Sequence, residues 1–384
     1  MTSTPTTTPQ SPSISIAVVG GGIAGLCLTL GLLKHPHIDV HVYEAAPTFS
    51  EFGAGVEIGP NAQTALRLLS PLAERAFTET TTGNLWPSHE NIFCDYIIGV
   101  GENEGKLLCA QKCETGMQSM HRARFLDKLV EGIPQERAHL QKRLIKIEDK
   151  DSDGGVILHF KDGTTAVADA VIGAEGIRSV VREHILGPEY ADPVFSNSIV
   201  YRNIRPMDVV IEKLGAEYAQ KATILCGPKR GFLSDRIENG HMANLAALIF
   251  EVPSWDYPTF HVPAKREELD ILFAGWGEKV QALVELMDTP HLTKWAIHSH
   301  PPSRTPTYVS PLTPCALIGD AAHAMPPYAG SGAGQAIEDA LILSHALSLT
   351  THPSQLHTAL KAYDSVRRPS YAATTVSVAF PEAF

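Results

Sequence analysis

Three glycine-containing segments hold the side chains whose types and spacing could do chemistry. The first reads Gly20-x-Gly22-x-x-Gly25 and stands between two apolar runs. Glycines permit a tight turn that brings backbone N–H groups close to a pyrophosphate, and the helix start that follows adds partial positive charge. Glu44 comes nineteen residues after Gly25, where a carboxylate can accept hydrogen bonds from a ribose 2′-OH and would repel a 2′-phosphate. This segment therefore favours the ADP part of FAD or NAD over NADP.

The second and third segments place polar groups after short apolar runs. In the second, Glu175 and Gly176 follow residues 170–172, and taken alone they indicate a polar loop. In the third, Asp320 ends an apolar run and can bind the hydroxyls of a sugar alcohol. Pro327 belongs to a rigid pair of prolines without N–H donors. The glycine-rich residues after it expose the N–H groups of a helix start toward an anion; they are Gly332, Ala333 and Gly334.

The elements that must position these segments follow from hydrophobic periodicity. Alternation of Ile14, Ile16 and Val18 predicts a buried strand, and a helix from about residue 23 to 34 and a strand at 40–43 come next. A strand, a helix and a strand in this order predict a parallel sheet. Other strands are predicted at 156–160, 164–169, 170–172, 198–202, 242–250 and 316–318, and other helices at 61–69, 122–130, 265–286 and 333–349.

Composition and charge narrow the class of protein. The chain has 384 residues, of which 44% are hydrophobic and 19% charged, an ordinary globular mixture. Its 31 basic and 42 acidic residues give a net charge of −11, and no basic run offers a track for nucleic acid. Residues 16–33 carry no charge, yet the five glycines among them favour a strand, a turn and a helix over a membrane span.

Cysteine and histidine usage gives no sign of a disulfide framework or a metal site. The six cysteines include no CxxC pair, which predicts reduced thiols in a cytoplasmic protein. His298, His300 and His323 lack the clustered acidic residues of a metal site, so no metal is predicted. Residues 1–13 are rich in Thr, Ser and Pro and predict a disordered leader, not a signal or transit peptide.

In their order and spacing, the three segments resemble the class A flavoprotein monooxygenases, the aromatic hydroxylases of the salicylate hydroxylase type. That family has GxGxxG at its start, an Asp-Gly motif in mid-chain and a Gly-Asp motif near residue 300. The resemblance covers roughly residues 14–370. Further matches lie at residues 52–62, 121–123, 201–202, 275–276 and 363–369.

The resemblance implies an α/β fold with a Rossmann-like FAD-binding domain and a discontinuous second domain built on a mixed β-sheet. The FAD-binding domain is expected from residues 14–75, 105–185 and 290–384. The substrate-binding domain is expected from residues 76–104 and 186–289.

The resemblance also implies an activity. NAD(P)H reduces FAD, O2 adds at flavin C4a, and the hydroperoxide delivers one oxygen atom to a small aromatic substrate, a phenol or an aromatic acid. The helix start at residues 332–334 would stabilise the reduced flavin through its N–H groups and dipole. Pro327 would line the side where oxygen is transferred and help to keep water out.

The same resemblance assigns the other cofactor contacts. Arg122 is expected near the pyrophosphate, and Glu175 with Gly176 stands where the family has Asp-Gly, a segment linked to pyrophosphate and NAD(P)H. Asp320 is expected at the ribitol chain. A further segment, which includes Gly55 and Val56, is expected beside the cofactor and the substrate.

Two charged residues are predicted to act on the substrate. Arg202 could fix a phenolate or a carboxylate, as a planar cation does, or it could be a structural strand arginine paired with an acid. Glu57 could face the cavity between flavin and substrate as a base or a polar anchor, or it could be a surface carboxylate at the start of a helix. The residue types leave both alternatives open.

Two departures from the family pattern bear on function. Asp235 and Arg236 replace an aromatic-proline pair, which predicts either a more polar pocket or an ion pair at the surface. The sequence stops at Phe384, where relatives often continue, which leaves room for a non-catalytic FAD-binding protein. Epoxidation or oxidative rearrangement of a secondary metabolite is the alternative within enzymes. A plain NAD dehydrogenase is disfavoured, because the Asp320 segment would have no function in such an enzyme.

Overall fold

The computed structural model describes residues 14–49, 55–150 and 155–377, with backbone alone for 374–377. The predicted leader at 1–13 lies outside the described residues. The strands are β1 (Ile14–Val19), β2 (Ile38–Tyr43), β3 (Gly55–Glu57), β4 (Thr82–Gly83), β5 (Ile92–Ile98), β6 (Leu107–Lys112), β7 (Gln118–His121), β8 (Ala138–His139), β9 (Leu144–Asp149), β10 (Val156–Phe160), β11 (Thr165–Ala168), β12 (Ala170–Gly173), β13 (Val194–Pro206), β14 (Thr223–Gly227), β15 (Arg230–Ile237), β16 (Met242–Phe250), β17 (His261–Pro263), β18 (Thr293–Ser299) and β19 (Cys315–Leu317). The helices are α1 (Ile23–Leu32), α2 (Pro60–Leu69), α3 (Pro71–Thr80), α4 (Arg122–Val130), α5 (Val180–Leu186), α6 (Pro188–Ala191), α7 (Met207–Leu214), α8 (Ala216–Ala219), α9 (Arg266–Leu272), α10 (Glu278–Leu286), α11 (Asp320–His323), α12 (Gly332–Ser348) and α13 (Leu356–Ser377).

A five-stranded parallel sheet carries the N-terminal glycine segment. Its strand order is β19-β12-β1-β2-β8, and every neighbouring pair is parallel. Helices cover such a sheet on both faces, which is why β1 is an apolar run almost without alternation in burial. The predicted unit of β1, α1 and β2 is confirmed. All residues of α1 are buried, and the helix packs between the sheet and α12.

An eight-stranded mixed sheet forms the second large layer. Its order is β17-β18-β13-β16-β15-β14-β5-β6, antiparallel except where β14 runs parallel to β5. Neighbouring side chains of a strand point to opposite faces. On β13, Tyr201 therefore packs into the apolar core around Phe273 and Trp276, while Arg202 points to the face that meets the parallel sheet and its helices.

Two small antiparallel sheets complete the fold. The first has the order β11-β10-β9, and the second β3-β7-β4. In the second, Glu57 of β3 lies directly opposite Ser119 of β7. This pairing brings the residues after Gly55 close to the eight-stranded sheet, since β7 also contacts its interior strand β15.

Two features differ from the sequence predictions. Residues 265–286 form two helices, α9 and α10, because the chain turns at Phe273–Gly277, where Gly275 has φ +78°. Strands β6 and β18 hydrogen-bond to β5 and β13 of the eight-stranded sheet, although the boundaries expected at 105 and 290 place them with the FAD-binding segments. The division into domains stays a prediction.

None of the helices within the described ranges is long and apolar enough to cross a membrane. The cytoplasmic location stays a prediction from the sequence.

Candidate active site

A cavity of about 240 Å³ opens where the two large layers meet. It is bounded by the starts of α1, α4, α11 and α12, by β3, and by the face of β13 that carries Arg202. Eleven of the sixteen residues predicted to act on cofactor or substrate line it: Gly22, Gly55, Val56, Glu57, Arg122, Gly176, Arg202, Asp320, Pro327, Gly332 and Ala333. Segments more than 300 residues apart in sequence thus converge on one space.

The first glycine segment has the geometry of a dinucleotide turn. Gly20 has φ +109°, and a side chain there would overlap the carbonyl of Ala174. A methyl group at Gly25 would overlap the Gly20 carbonyl, so this glycine lets α1 pack closely against the turn. At Gly22 the nearest atom to an added Cβ, in Arg122, is 3.9 Å away. That open space beside a helix start and an arginine fits a pyrophosphate.

Glu44 stabilises the glycine turn by accepting hydrogen bonds from the backbone. Its Oε2 accepts a hydrogen bond from Gly21 N at 2.7 Å, and its Oε1 accepts one from Ala46 N at 2.7 Å. Among the described residues, the cavity lining stops at the turn and excludes Glu44. Each carboxylate oxygen keeps a second lone pair, so the backbone contacts leave acceptors for a ribose.

The turn that carries Asp320 is anchored by buried charges on both sides. Gly319 has φ +58°, and a methyl group there would lie 2.9 Å from Ala24 Cβ. Asp339 accepts hydrogen bonds from Gly319 N at 2.8 Å and from His323 Nε2 at 2.6 Å. Arg182 donates to the carbonyls of α11 at 3.1 Å. The Asp320 side chain is exposed between buried neighbours and lines the cavity.

The proline loop and the start of α12 form the next wall. Pro327 begins a short 3-10 turn that ends at Ala329, and both Pro327 and Gly330 line the cavity. The first turn of α12, all of it described, contains no acidic side chain. Its N–H groups therefore keep their attraction for a negative charge. Gly334 is buried within the turn, close to Ala62 of α2.

Glu175 and Gly176 of the mid-chain segment have different roles in the structure. Gly176 lines the cavity. Glu175 turns away and caps α5: it accepts hydrogen bonds from Ser179 Oγ at 2.5 Å and from Val181 N at 3.1 Å. Burial raises the pKa of Glu175 to about 7, although these donors oppose the shift. The side chain expected near the pyrophosphate thus stabilises the loop that carries Gly176.

Arg202 and Glu57 both line the cavity, and each acts on the charge of the other. Burial raises the pKa of Glu57, and the positive charge of Arg202 partly opposes this shift. Burial lowers the pKa of Arg202, and the negative charge of Glu57 opposes that shift in turn. Glu57 ends β3 ahead of α2 and lies against Gly330, whose added Cβ would be 3.2 Å from Glu57 Oε2. Glu57 is half-buried and lines the cavity, which favours the cavity-facing interpretation; its role as a base or anchor stays a prediction.

Asp235 and Arg236, the two residues that depart from the family pattern, form no ion pair with each other at the surface. Asp235 is fully buried and accepts hydrogen bonds from Ser119 Oγ at 2.9 Å and from Asn244 Nδ2 at 2.7 Å. Arg236, its neighbour on the opposite face of β15, donates to the carbonyl of Gly83 at 2.5 Å. The alternation of side chains along a strand separates the two charges. Ser119 and Asn244 carry no local signal in the sequence, because tertiary packing alone brings them to Asp235.

The three histidines considered as metal ligands have other contacts. His323 donates to Asp339, His300 Nε2 lies 2.9 Å from the Ile177 carbonyl, and His298 stacks on Phe260. Within residues 14–49, 55–150 and 155–377, no group of three His, Cys, Asp or Glu side chains is placed to hold a metal ion.

Comparison with known proteins assigns this chain to a family. The family described as FAD binding domain matches residues 314–377. The 6-methylsalicylate 1-monooxygenase of Aspergillus terreus is 45% identical over 362 residues, which cover 93% of this chain and 80% of that protein. The chain belongs to the class A FAD-dependent monooxygenases. The salicylate hydroxylase of Pseudomonas putida is 36% identical over 378 residues, covering 94% of this chain and 82% of the relative.

The fold of this FAD-dependent monooxygenase agrees with its sequence relatives. A salicylate hydroxylase, solved as a substrate complex, matches with a TM-score of 0.82 and 30% identity over 96% of this chain and 88% of that one. The expected α/β fold with a Rossmann-like FAD-binding domain is confirmed, and FAD is the cofactor of the enzyme. The open space at Gly22, the exposed Asp320 and the free start of α12 fit that cofactor.

Proposed function

We propose that this FAD-dependent monooxygenase hydroxylates a small phenolic aromatic acid, with NAD(P)H and O2 as co-substrates. The observation that carries the proposal is the meeting of Arg202 and Glu57 with the FAD-binding segments in one cavity. Two relatives act on aromatic acids by name, 6-methylsalicylate and salicylate. In the balanced reaction, substrate, O2, NAD(P)H and a proton give the hydroxylated product, NAD(P)⁺ and water.

FAD would be held along the cavity by residues of this chain. Gly22 and Arg122 would bind the pyrophosphate, Asp320 the ribitol hydroxyls, and the start of α12 the electron-rich end of the ring system. Bound FAD supplies the electron transfer from NAD(P)H and the activation of O2. Pro327 would restrict water at this end, since it offers no N–H donor.

An aromatic ring would rest on a small apolar floor beside Arg202. Val200, Ala246 and Leu248 form a buried cluster on β13 and β16, and Tyr328 of the proline loop packs against it. Val200 and Arg202 point to the same face of β13, two residues apart. An apolar surface next to a guanidinium suits a benzene ring that carries an anionic group.

The charged pair would orient and activate the substrate. Arg202 would bind the carboxylate or phenolate with its planar guanidinium. Glu57 would accept the phenol proton at a carboxylate oxygen, because its raised pKa brings it nearer to the working pH of a general base. Removal of that proton makes the ring more electron-rich at the carbon that receives oxygen.

The first test is NAD(P)H consumption by the FAD-supplemented protein with salicylate, 6-methylsalicylate and simple phenols. We expect one compound to stimulate consumption and to yield a product of matching mass. Addition of one oxygen indicates attack at a free ring carbon, whereas replacement of the carboxyl group by hydroxyl, with release of CO2 as an additional product, indicates attack at the carbon that bears it. Absence of stimulation by every aromatic compound would overturn the proposal.

A second test uses two arginines of one strand. Arg202→Ala should raise KM for the acid far more than it lowers the FAD content. Arg205→Ala is the matched control, because Arg205 lies three residues along β13 and therefore on its opposite face. Equal losses of FAD and of substrate affinity in Arg202→Ala would defeat the assigned role.

A further inference from the structure

A buried acid lies behind the substrate end of the cavity. Asp235 sits on β15, where its neighbour across the sheet is Asn244 of β16, which in turn faces Ile204 of β13. Arg202 is two residues from Ile204 on that same strand, so Arg202 and Asp235 share one face of the sheet. Ser119, which donates to Asp235 at 2.9 Å, is the residue opposite Glu57 in the small sheet.

Titratable and charged groups from three elements face Asp235. Glu57 faces it from β3, Arg202 from β13, and the thiol of Cys94 from β5. Burial holds the pKa of Cys94 well above its ordinary value, so the thiol stays neutral. Arg122 from α4 acts on Arg202 as a second positive charge. Two carboxyl groups therefore surround Arg202 on a buried face, where each disfavours ionisation of the other.

We propose that Asp235 is a positioning residue for substrate charge, forming with Glu57 a carboxyl pair beside Arg202 that keeps one proton at neutral pH and releases it as the pH rises. In the FAD-loaded enzyme Arg122 serves the pyrophosphate, so Arg202 alone faces the pair. With the proton present, the pair carries one negative charge, which Arg202 matches, and an anionic ligand can bind. With the proton lost, a second negative charge appears beside Arg202 and weakens the binding of an anion. The inference rests on the proposed function, since it concerns how an aromatic acid binds at Arg202.

The acid–base properties agree with this geometry. Burial raises the pKa of Asp235 to about 7, and the negative charge of Glu57 adds to the shift. The hydrogen bonds from Asn244 and Ser119 and the charge of Arg202 act in the opposite direction. The proton of the pair is thus released in the pH range in which the enzyme can be assayed.

The experiment measures ligand affinity in the FAD-loaded full chain through the flavin absorption spectrum. The probes are salicylate, a monoanion throughout the range, and 2-hydroxybenzyl alcohol, its neutral counterpart. In the wild type, Kd for salicylate should rise on the order of tenfold from about pH 6 to about pH 8.5, because one negative charge appears beside Arg202. Kd for the alcohol should stay nearly constant. In Asp235→Asn the salicylate curve should be flat.

Two serine variants provide the matched control. Ser119→Ala removes a hydrogen bond that favours the ionised Asp235, so the midpoint of the salicylate curve should move to higher pH. Ser234→Ala removes a buried hydroxyl that has no hydrogen-bond partner among the described residues and points to the other face of β15, so its curve should match the wild type. A purely structural role would move neither midpoint.

The outcomes separate this inference from the proposed function. A wild-type Kd for salicylate that is flat with pH, or a rise that persists in Asp235→Asn, overturns the inference and leaves the proposed function standing. If Asp235→Asn fails to retain FAD, an unchanged midpoint in Ser119→Ala overturns it instead. A wild type that binds neither probe overturns the proposed function together with the inference.

Discussion

Asp339 is the residue whose replacement tests how the Asp320 turn is held. The Asp339 carboxylate is fully buried and accepts three hydrogen bonds: from His323 Nε2 at 2.6 Å, from Arg367 Nε at 2.7 Å and from Gly319 N at 2.8 Å. Two of these donors flank Asp320, and the third belongs to α13. One side chain therefore joins the cofactor turn, α12 and the C-terminal helix.

The size of the effect follows from what Asp339→Asn leaves behind. The amide keeps one acceptor oxygen and turns its NH2 group toward a donor, so at least one donor loses its partner. Arg367 is 3% exposed, and breaking a buried pair by removing one partner costs about 3–5 kcal/mol. Arg367 retains Glu338 Oε2 at 2.6 Å and Gln335 Oε1 at 2.7 Å. We therefore expect a loss near the lower limit, about 3 kcal/mol.

The assay is urea unfolding of the FAD-loaded variant, together with a flavin fluorescence titration of FAD affinity. Glu338→Gln is the matched control, since Glu338 also pairs with Arg367 but its side chain is 20% exposed. That change should cost about 1 kcal/mol or less. FAD affinity should fall in Asp339→Asn because the Asp320 turn loses its anchor. A loss below about 1 kcal/mol in Asp339→Asn, or an equal loss in Glu338→Gln, would refute the reasoning.

The pH dependence of this contribution has a definite sign. Burial alone would raise the pKa of Asp339, but His323 and Arg367 hold it below its ordinary value. A depressed pKa means that the stabilisation is present above the unfolded-state pKa of about 4 and is lost as pH falls through the folded-state value. The difference in stability between wild type and Asp339→Asn should therefore narrow in acid.

Three further predictions concern the turn, the cap and the C-terminal helix. Gly25→Ala should abolish FAD binding or soluble expression, because its methyl group would overlap the Gly20 carbonyl; normal FAD content would count against it. Glu175→Gln should lessen the loss of stability as pH rises from about 5 to about 8, since the raised pKa of about 7 makes ionisation unfavourable in the folded state; thermal unfolding across this range checks it. Tyr363→Phe should lower the free energy of unfolding by about 1 kcal/mol, because the Leu317 carbonyl loses a hydrogen bond of 2.8 Å; an unchanged urea midpoint would contradict this.

Short-range constraints allowed the sequence to determine the cofactor side of this enzyme. Gly20 and Gly25 are needed where a strand turns into a helix, and the physical reason is local: Gly20 has φ +109°, and a methyl group at Gly25 would overlap the Gly20 carbonyl of the same turn. The strand, helix and strand around them follow from apolar periodicity. The family and FAD could be predicted for this reason, because the motifs that carry them are contiguous.

The substrate side depended on the tertiary structure. Glu57 and Arg202 stand 145 residues apart, and no local pattern reveals that β3 and β13 present them to one cavity. For Asp235 the residue types left open a more polar pocket or an ion pair at the surface, whereas the register of β15 against β16 buries it against Asn244. Strand register and the packing of one sheet against another decide which charges meet, and a one-residue shift would send each side chain to the opposite face.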